Sequence, residues 1–141
     1  VSNTFKKDLQ RGINIENKLL DIIKKKYPSA SLINKYKGYD IWIPETKKSI
    51  EVKYDPMSNE TGNIVIEIEM FNKPSALMTT EADYWVFYDD IKFICIKPKD
   101  IINCIFLNKL IYKQFVGNGD STSKKAFLVP KDILFKYGIE F

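Results

Sequence analysis

The sequence predicts an α/β chain of the α+β kind, a mixed central β-sheet flanked by helices. Three observations carry that expectation. A helical periodicity opens the chain, short period-two segments rich in β-branched and aromatic residues follow, and helical patterns return after Pro98 and Pro130. The 141 residues and the 45% apolar fraction suit one domain, 1–141, around one core. No uncharged apolar run approaches the roughly 20 residues of a membrane helix, so no membrane partner is expected.

In residues 5–27, Leu9, Ile13, Leu20, Ile23 and Tyr27 recur at spacings of three, four or seven along one helical stripe, and Pro28 ends the pattern. Residues 31–36 and 39–43 read as short strands around the turn residues Lys37 and Gly38. Residues 49–54 form a third strand after the turn at 44–48. Residues 55–62 read as a polar loop. Residues 63–70 alternate Ile64, Ile66 and Ile68 against Val65, Glu67 and Glu69, which is a fourth strand of a meander. Residues 74–81 take a short helix or an irregular turn. Residues 84–88 and 92–96 form a hairpin around Asp89 and Asp90. Residues 100–115 suit a helix, with β-branched content that leaves a strand open at the end. A loop at 117–125, a strand at 125–129 and a short helix at 130–137 closed by Gly138 complete the chain.

Composition narrows the chemistry. The absence of histidine excludes Ser-His-Asp and Cys-His nucleophile pairs, His-ligated zinc and imidazole-based nuclease sites. Cys95 and Cys104 are too few and too far apart for a zinc ribbon or a redox pair. They read as buried thiols of a cytoplasmic protein, an expectation to which the N-terminal Val1 to Lys7, with no long apolar core, adds the absence of a signal peptide. The net charge is +4, and Arg11 is the lone arginine among 22 basic residues. Lysine is a point charge suited to phosphates, whereas arginine reads guanine edges, so a nucleic-acid partner would be held by its backbone.

Chemistry then rests on carboxylates, lysine and metal. Glu16 lies between Ile13 and Leu20 on the apolar stripe, where a carboxylate needs a cation, a donor or water unless it reaches solvent at the stripe's edge. A turn centred near Glu45 and Thr46 sets Asp40 nearly opposite Glu51 in an antiparallel hairpin, with side chains on one face. Two such carboxylates repel unless a divalent cation bridges them, and magnesium or manganese takes hard carboxylate oxygens. Lys53 projects to the same face, while Ile50, Val52 and Tyr54 point the other way. Two carboxylates and a lysine around one metal are the parts needed to hydrolyse a phosphodiester without histidine. The plainer reading is a surface Glu51–Lys53 ion pair with Asp40 in a turn.

A helix bearing a stripe glutamate, followed by Gly38-Tyr39-Asp40-Ile41 and then Ile50-Glu51-Val52-Lys53, resembles the PD-(D/E)XK nuclease superfamily, which includes restriction endonucleases and archaeal Holliday junction resolvases. The likeness covers roughly residues 11–54. It departs from the name-giving motif in that Tyr39, not proline, precedes Asp40. It implies a restriction-endonuclease-like core and a magnesium- or manganese-dependent endonuclease acting on DNA. Asp40, Glu51 and the Val52 carbonyl would be metal ligands, Lys53 the catalytic lysine and Glu16 an additional acidic residue. A homodimer is implied as well. The segments 61–69, Lys73-Pro74-Ser75 and 79–85 look like small phage-type members of the same superfamily, which would put Glu67, Lys73 and Ser75 on the rim of the site. If the Glu67 strand neighbours the Glu51 strand, Glu67 would hold a water or a second ion, and Lys73, Ser75, Thr79 and Thr80 would contact phosphates; a solvated strand face is the simpler reading of Glu67 and Glu69. Tyr84 and Trp85 read as core rather than a base-stacking platform, and residues 121–125 as a solvated loop rather than a phosphate clamp. The rival from another class is a non-catalytic nucleic-acid-binding or assembly subunit with a nuclease-like fold; a third reading is an unrelated α/β domain with an accidental pattern.

Overall fold

A computed structural model describes residues 3–33, 36, 38–116 and 123–141. The chain is an α+β protein with four helices and two sheets. Helix α1 (Asn3–Lys24) opens it. Strands β1 (Ser31–Leu32), β2 (Ile41–Ile43) and β3 (Lys48–Tyr54) follow, then α2 (Ser58–Thr61), β4 (Asn63–Met70), β5 (Lys73–Pro74) and a 3₁₀ turn (Ala76–Met78). Strands β6 (Tyr84–Tyr88) and β7 (Phe93–Ile96) form the expected hairpin. They are followed by α3 (Pro98–Leu107), β8 (Tyr112–Val116), β9 (Ser123–Pro130), α4 (Lys131–Phe135) and β10 (Ile139–Glu140).

The larger sheet runs β1-β2-β3-β6-β7-β10 and is mixed, because β3 and β6 pair in parallel while its other pairs are antiparallel. The smaller sheet runs β5-β4-β9-β8 and is antiparallel throughout. This corrects the expectation of one central sheet built on a four-strand meander. β4 leaves its chain neighbour β3 and pairs with β5 and β9, a long-range partner that local alternation does not reveal.

The larger sheet separates two cores. On one face Ile15, Leu19 and Ile23 of α1 pack on Ile41, Ile50 and Val86. On the other Trp85, Phe87, Ile94 and Ile96 meet Ile64 and Ile66 of β4, Ile101 and Cys104 of α3 and Leu134 of α4. The buried stripe of α1 is Ile15, Leu19 and Ile23 rather than the expected one, and Leu9 and Ile13 are 57% and 41% exposed. Trp85 and Cys104 are core residues, while Tyr84 and Cys95 are half-buried beside the α1 core.

Smaller corrections have local causes. The polar segment 55–62 contains the helical turn α2, ended by Gly62 in the left-handed region at φ 76°. Residues 100–115 divide into helix and strand at the turn 108–109, and 123–125 belong to β9 rather than to a loop. Gly138 is not a left-handed helix cap. A Cβ there would lie 2.6 Å from side-chain atoms of Ile94 and Ile96 and 2.9 Å from the Cys95 carbonyl, so glycine is needed for close approach to β7. Lys37, residues 34–35 of the expected strand 31–36, residues 117–122 of the expected loop and clamp, and Val1 and Ser2 lie outside the described residues. No helix among the described residues is long and apolar enough to cross a membrane.

Candidate active site at the β2–β3 edge

The turn between β2 and β3 sets the register Ile41↔Ile50, Trp42↔Ser49 and Ile43↔Lys48. Continued by one residue, it places Asp40 against Glu51, and the Asp40 N–H donates to the Ile50 carbonyl at 2.8 Å. Asp40 Oδ2 in turn accepts the Val52 N–H at 2.7 Å, so the carboxylate caps β3 just where β2 has ended. A strand residue directs its N–H and C=O to the same side. The Val52 carbonyl thus faces the edge that Asp40 occupies.

As cross-strand neighbours in that register, Asp40 and Glu51 project to one face of the sheet. Burial raises the Glu51 carboxyl to about 7, with Lys53 pulling it down and the charge of Asp40 pushing it further up. Lys53 Nζ lies 3.2 Å from Glu51 Oε2 and 4.7 Å from the centre of the Trp85 ring. Trp85 stands beside Glu51 in the parallel β3–β6 register and donates its indole N–H to Thr80 Oγ1 at 2.9 Å. Glu16 approaches from α1: burial, and then the charge of Asp40, raises it to about 6. Asp40, Glu51 and Lys53 therefore stand together at the edge of β3, and Glu16 is near enough to feel the charge of Asp40.

The donor set suits a hard divalent cation. Two neighbouring carboxylates repel each other, and a divalent ion between them would relieve that repulsion. Asp40 and Glu51 would hold the ion, with the Val52 carbonyl on the same edge. Among the described residues no group of three His, Cys, Asp or Glu side chains converges on one point.

The rim residues are organised differently. Ser75 donates to Glu67 Oε2 at 2.7 Å, and Lys124 Nζ stands 3.8 Å from Glu67 Oε1. Glu67 belongs to the smaller sheet and does not neighbour β3, which removes the strand-pairing ground for giving it a second ion. Lys73 is exposed on β5. What does adjoin Glu51 is a cavity of about 310 Å³ between Glu51 and Trp85 on one side and Gly38, Thr79, Thr80 and Glu81 on the other. The residue pattern offers Thr79 and Thr80 only as phosphate contacts and leaves Glu81 out. The signal that could have found them is the polar run Thr79-Thr80-Glu81 directly before the Trp85 strand.

No protein-family model matches the chain, and no curated protein and no solved structure matches it either.

Proposed function

We propose that the chain is a metal-dependent endodeoxyribonuclease with a restriction-endonuclease-like core, hydrolysing DNA phosphodiesters with magnesium or manganese. One observation carries the reading: the β2–β3 register sets Asp40 against Glu51 at the edge of β3, where Asp40 accepts the Val52 N–H at 2.7 Å and the Lys53 ammonium stands 3.2 Å from Glu51. A divalent cation at such a pair supplies charge neutralisation and acidifies a coordinated water. The protein's own groups do the rest. Asp40 is fixed by the Val52 N–H, so its second oxygen has a defined direction. Lys53, held between Glu51 and the Trp85 ring, presents a cation where negative charge develops on the phosphoryl oxygens. Glu16, with its raised affinity for a proton, stands on the α1 side as a group able to take one from an attacking water.

Incubation with linear duplex, single-stranded, flap and four-way-junction DNA tests the reading. Cleavage is expected with magnesium or manganese and none in EDTA; turnover that persists in EDTA overturns the mechanism. A non-catalytic nucleic-acid-binding subunit is separated by calorimetric titration with manganese alone, in which the nuclease binds the ion and the Asp40→Asn variant does not.

A further inference from the structure

The cavity beside Glu51 differs in chemistry from a phosphate site. None of the described residues lining it is basic, and two of them, Glu51 and Glu81, are carboxylates, so a phosphate inside it would meet like charge. Thr80 Oγ1 accepts both the Trp85 indole N–H at 2.9 Å and the Ala82 N–H at 3.2 Å. With both lone pairs used, the hydroxyl's remaining capacity is as a donor. Glu81 Oε1 accepts the Tyr36 hydroxyl at 2.7 Å, which fixes the carboxylate and leaves Oε2 as a further acceptor. The wall is close to the backbone at Gly38. A Cβ there would collide with the Tyr36 ring and lie 2.7 Å from Glu81 Oε2. The cavity thus combines a fixed carboxylate acceptor and a hydroxyl donor against the edge of a buried indole, at about 310 Å³.

A flat neutral group with N–H donors and a carbonyl or ring-nitrogen acceptor matches that set, and the phosphodiester site lies next to it across Glu51. The geometry points to a subsite for an unpaired nucleobase, with its amino or imino N–H on Glu81 and an acceptor on Thr80. The substrate class is then DNA carrying an unpaired nucleotide at the point of cleavage. In a perfect duplex those N–H groups are already used in pairing, and extracting the base costs a few kcal/mol. This inference rests on the nuclease reading of the adjoining carboxylates.

Fluorescence anisotropy in EDTA, comparing a duplex that carries one extrahelical guanine with the same duplex fully paired, measures it without turnover. The parent is expected to prefer the extrahelical guanine on the order of tenfold, the range of one base held by a pair of hydrogen bonds. Thr79→Trp, which fills the cavity, should bring the ratio of the two affinities to about one. Glu81→Gln keeps the size of an exposed side chain, so it decides the matter if the filled variant does not fold; it should reduce the ratio several-fold. Equal affinity of the parent for the two duplexes, or an unchanged ratio in Glu81→Gln, overturns the subsite. Metal-dependent cutting of both duplexes at equal rates removes the subsite alone, whereas absence of cutting on every DNA removes the nuclease reading beneath it.

Discussion

At the scale of single residues, the site is a balance between burial and charge. Glu51 is raised to about 7 and Glu16 to about 6, both from an ordinary 4.5. A carboxyl raised on folding favours the protonated folded state, so the stability it contributes is fully present below about 4.5 and is lost as pH rises through about 7 for Glu51 and about 6 for Glu16. In EDTA the parent should therefore lose melting temperature across that window. Glu51→Gln, neutral at every pH, should melt above the parent at pH 8 and approach it at pH 4.5. Adding magnesium at pH 8 should raise the melting temperature of the parent and leave that of Glu51→Gln unmoved. A parent whose melting temperature rises from pH 4.5 to 7 more than the variant's contradicts the assigned shift. Asp40 was legible as the partner of Glu51 because the short turn, residues 44–47, sets the register by itself. Glu81 and the donor role of Thr80 were not, because they depend on the Tyr36 hydroxyl reaching Glu81 from a distant part of the chain and on the Trp85 indole turning back onto Thr80.

At the scale of elements, the turn between β6 and β7 and its tie to α4 hold the sheet that carries the site. Asp89 is 2% exposed; its Oδ1 accepts the N–H groups of Ile91 and Lys92, and Oδ2 accepts the Lys131 ammonium at 2.8 Å. Burial pushes its carboxyl up, but the Lys131 ammonium and the two N–H donors outweigh this and hold it below the usual range. Asp89→Ala leaves the Lys131 cation without its carboxylate and should cost about 3 kcal/mol in urea unfolding. A cost below about 1 kcal/mol shows that the pair carries no weight. The two-residue connection between β4 and β5 holds Phe71 at φ 52° and Asn72 at φ 61°, both left-handed. Phe71 is 56% exposed, so Phe71→Gly sacrifices little packing and should stabilise the protein by about 1 kcal/mol through relief of that strain. The strong local signals, period-two alternation in β4 and the β6–β7 hairpin, were readable from the chain. β10 and the exposure of Leu9 and Ile13 were not. A two-residue edge strand has no pattern, and the stripe that a helix buries is set by the core it packs on.

At the scale of the molecule, two sheets meet over a common core, and the Asp40–Glu51 edge and the neighbouring cavity lie where the β2–β3 hairpin and the segment before β6 approach each other. The absence of histidine and the near-absence of arginine acquire a consequence at this scale. On the proposed reading, hydrolysis runs on Asp40, Glu51, Lys53 and Glu16, and DNA is held largely by lysine. Membership of the smaller sheet was beyond the sequence pattern because β4 and β9 are joined across more than fifty residues of intervening chain, and their pairing is decided by packing against Trp85 and α3. The most direct test of the account is the single-turnover cleavage rate of the parent beside Asp40→Asn and Lys53→Met, in manganese, with unfolding followed on the same samples. Asp40→Asn retains an oxygen for the Val52 N–H, so both variants should remain folded while their rates fall by at least about 10²-fold. Folded variants that cut DNA at the parent's rate would contradict the site.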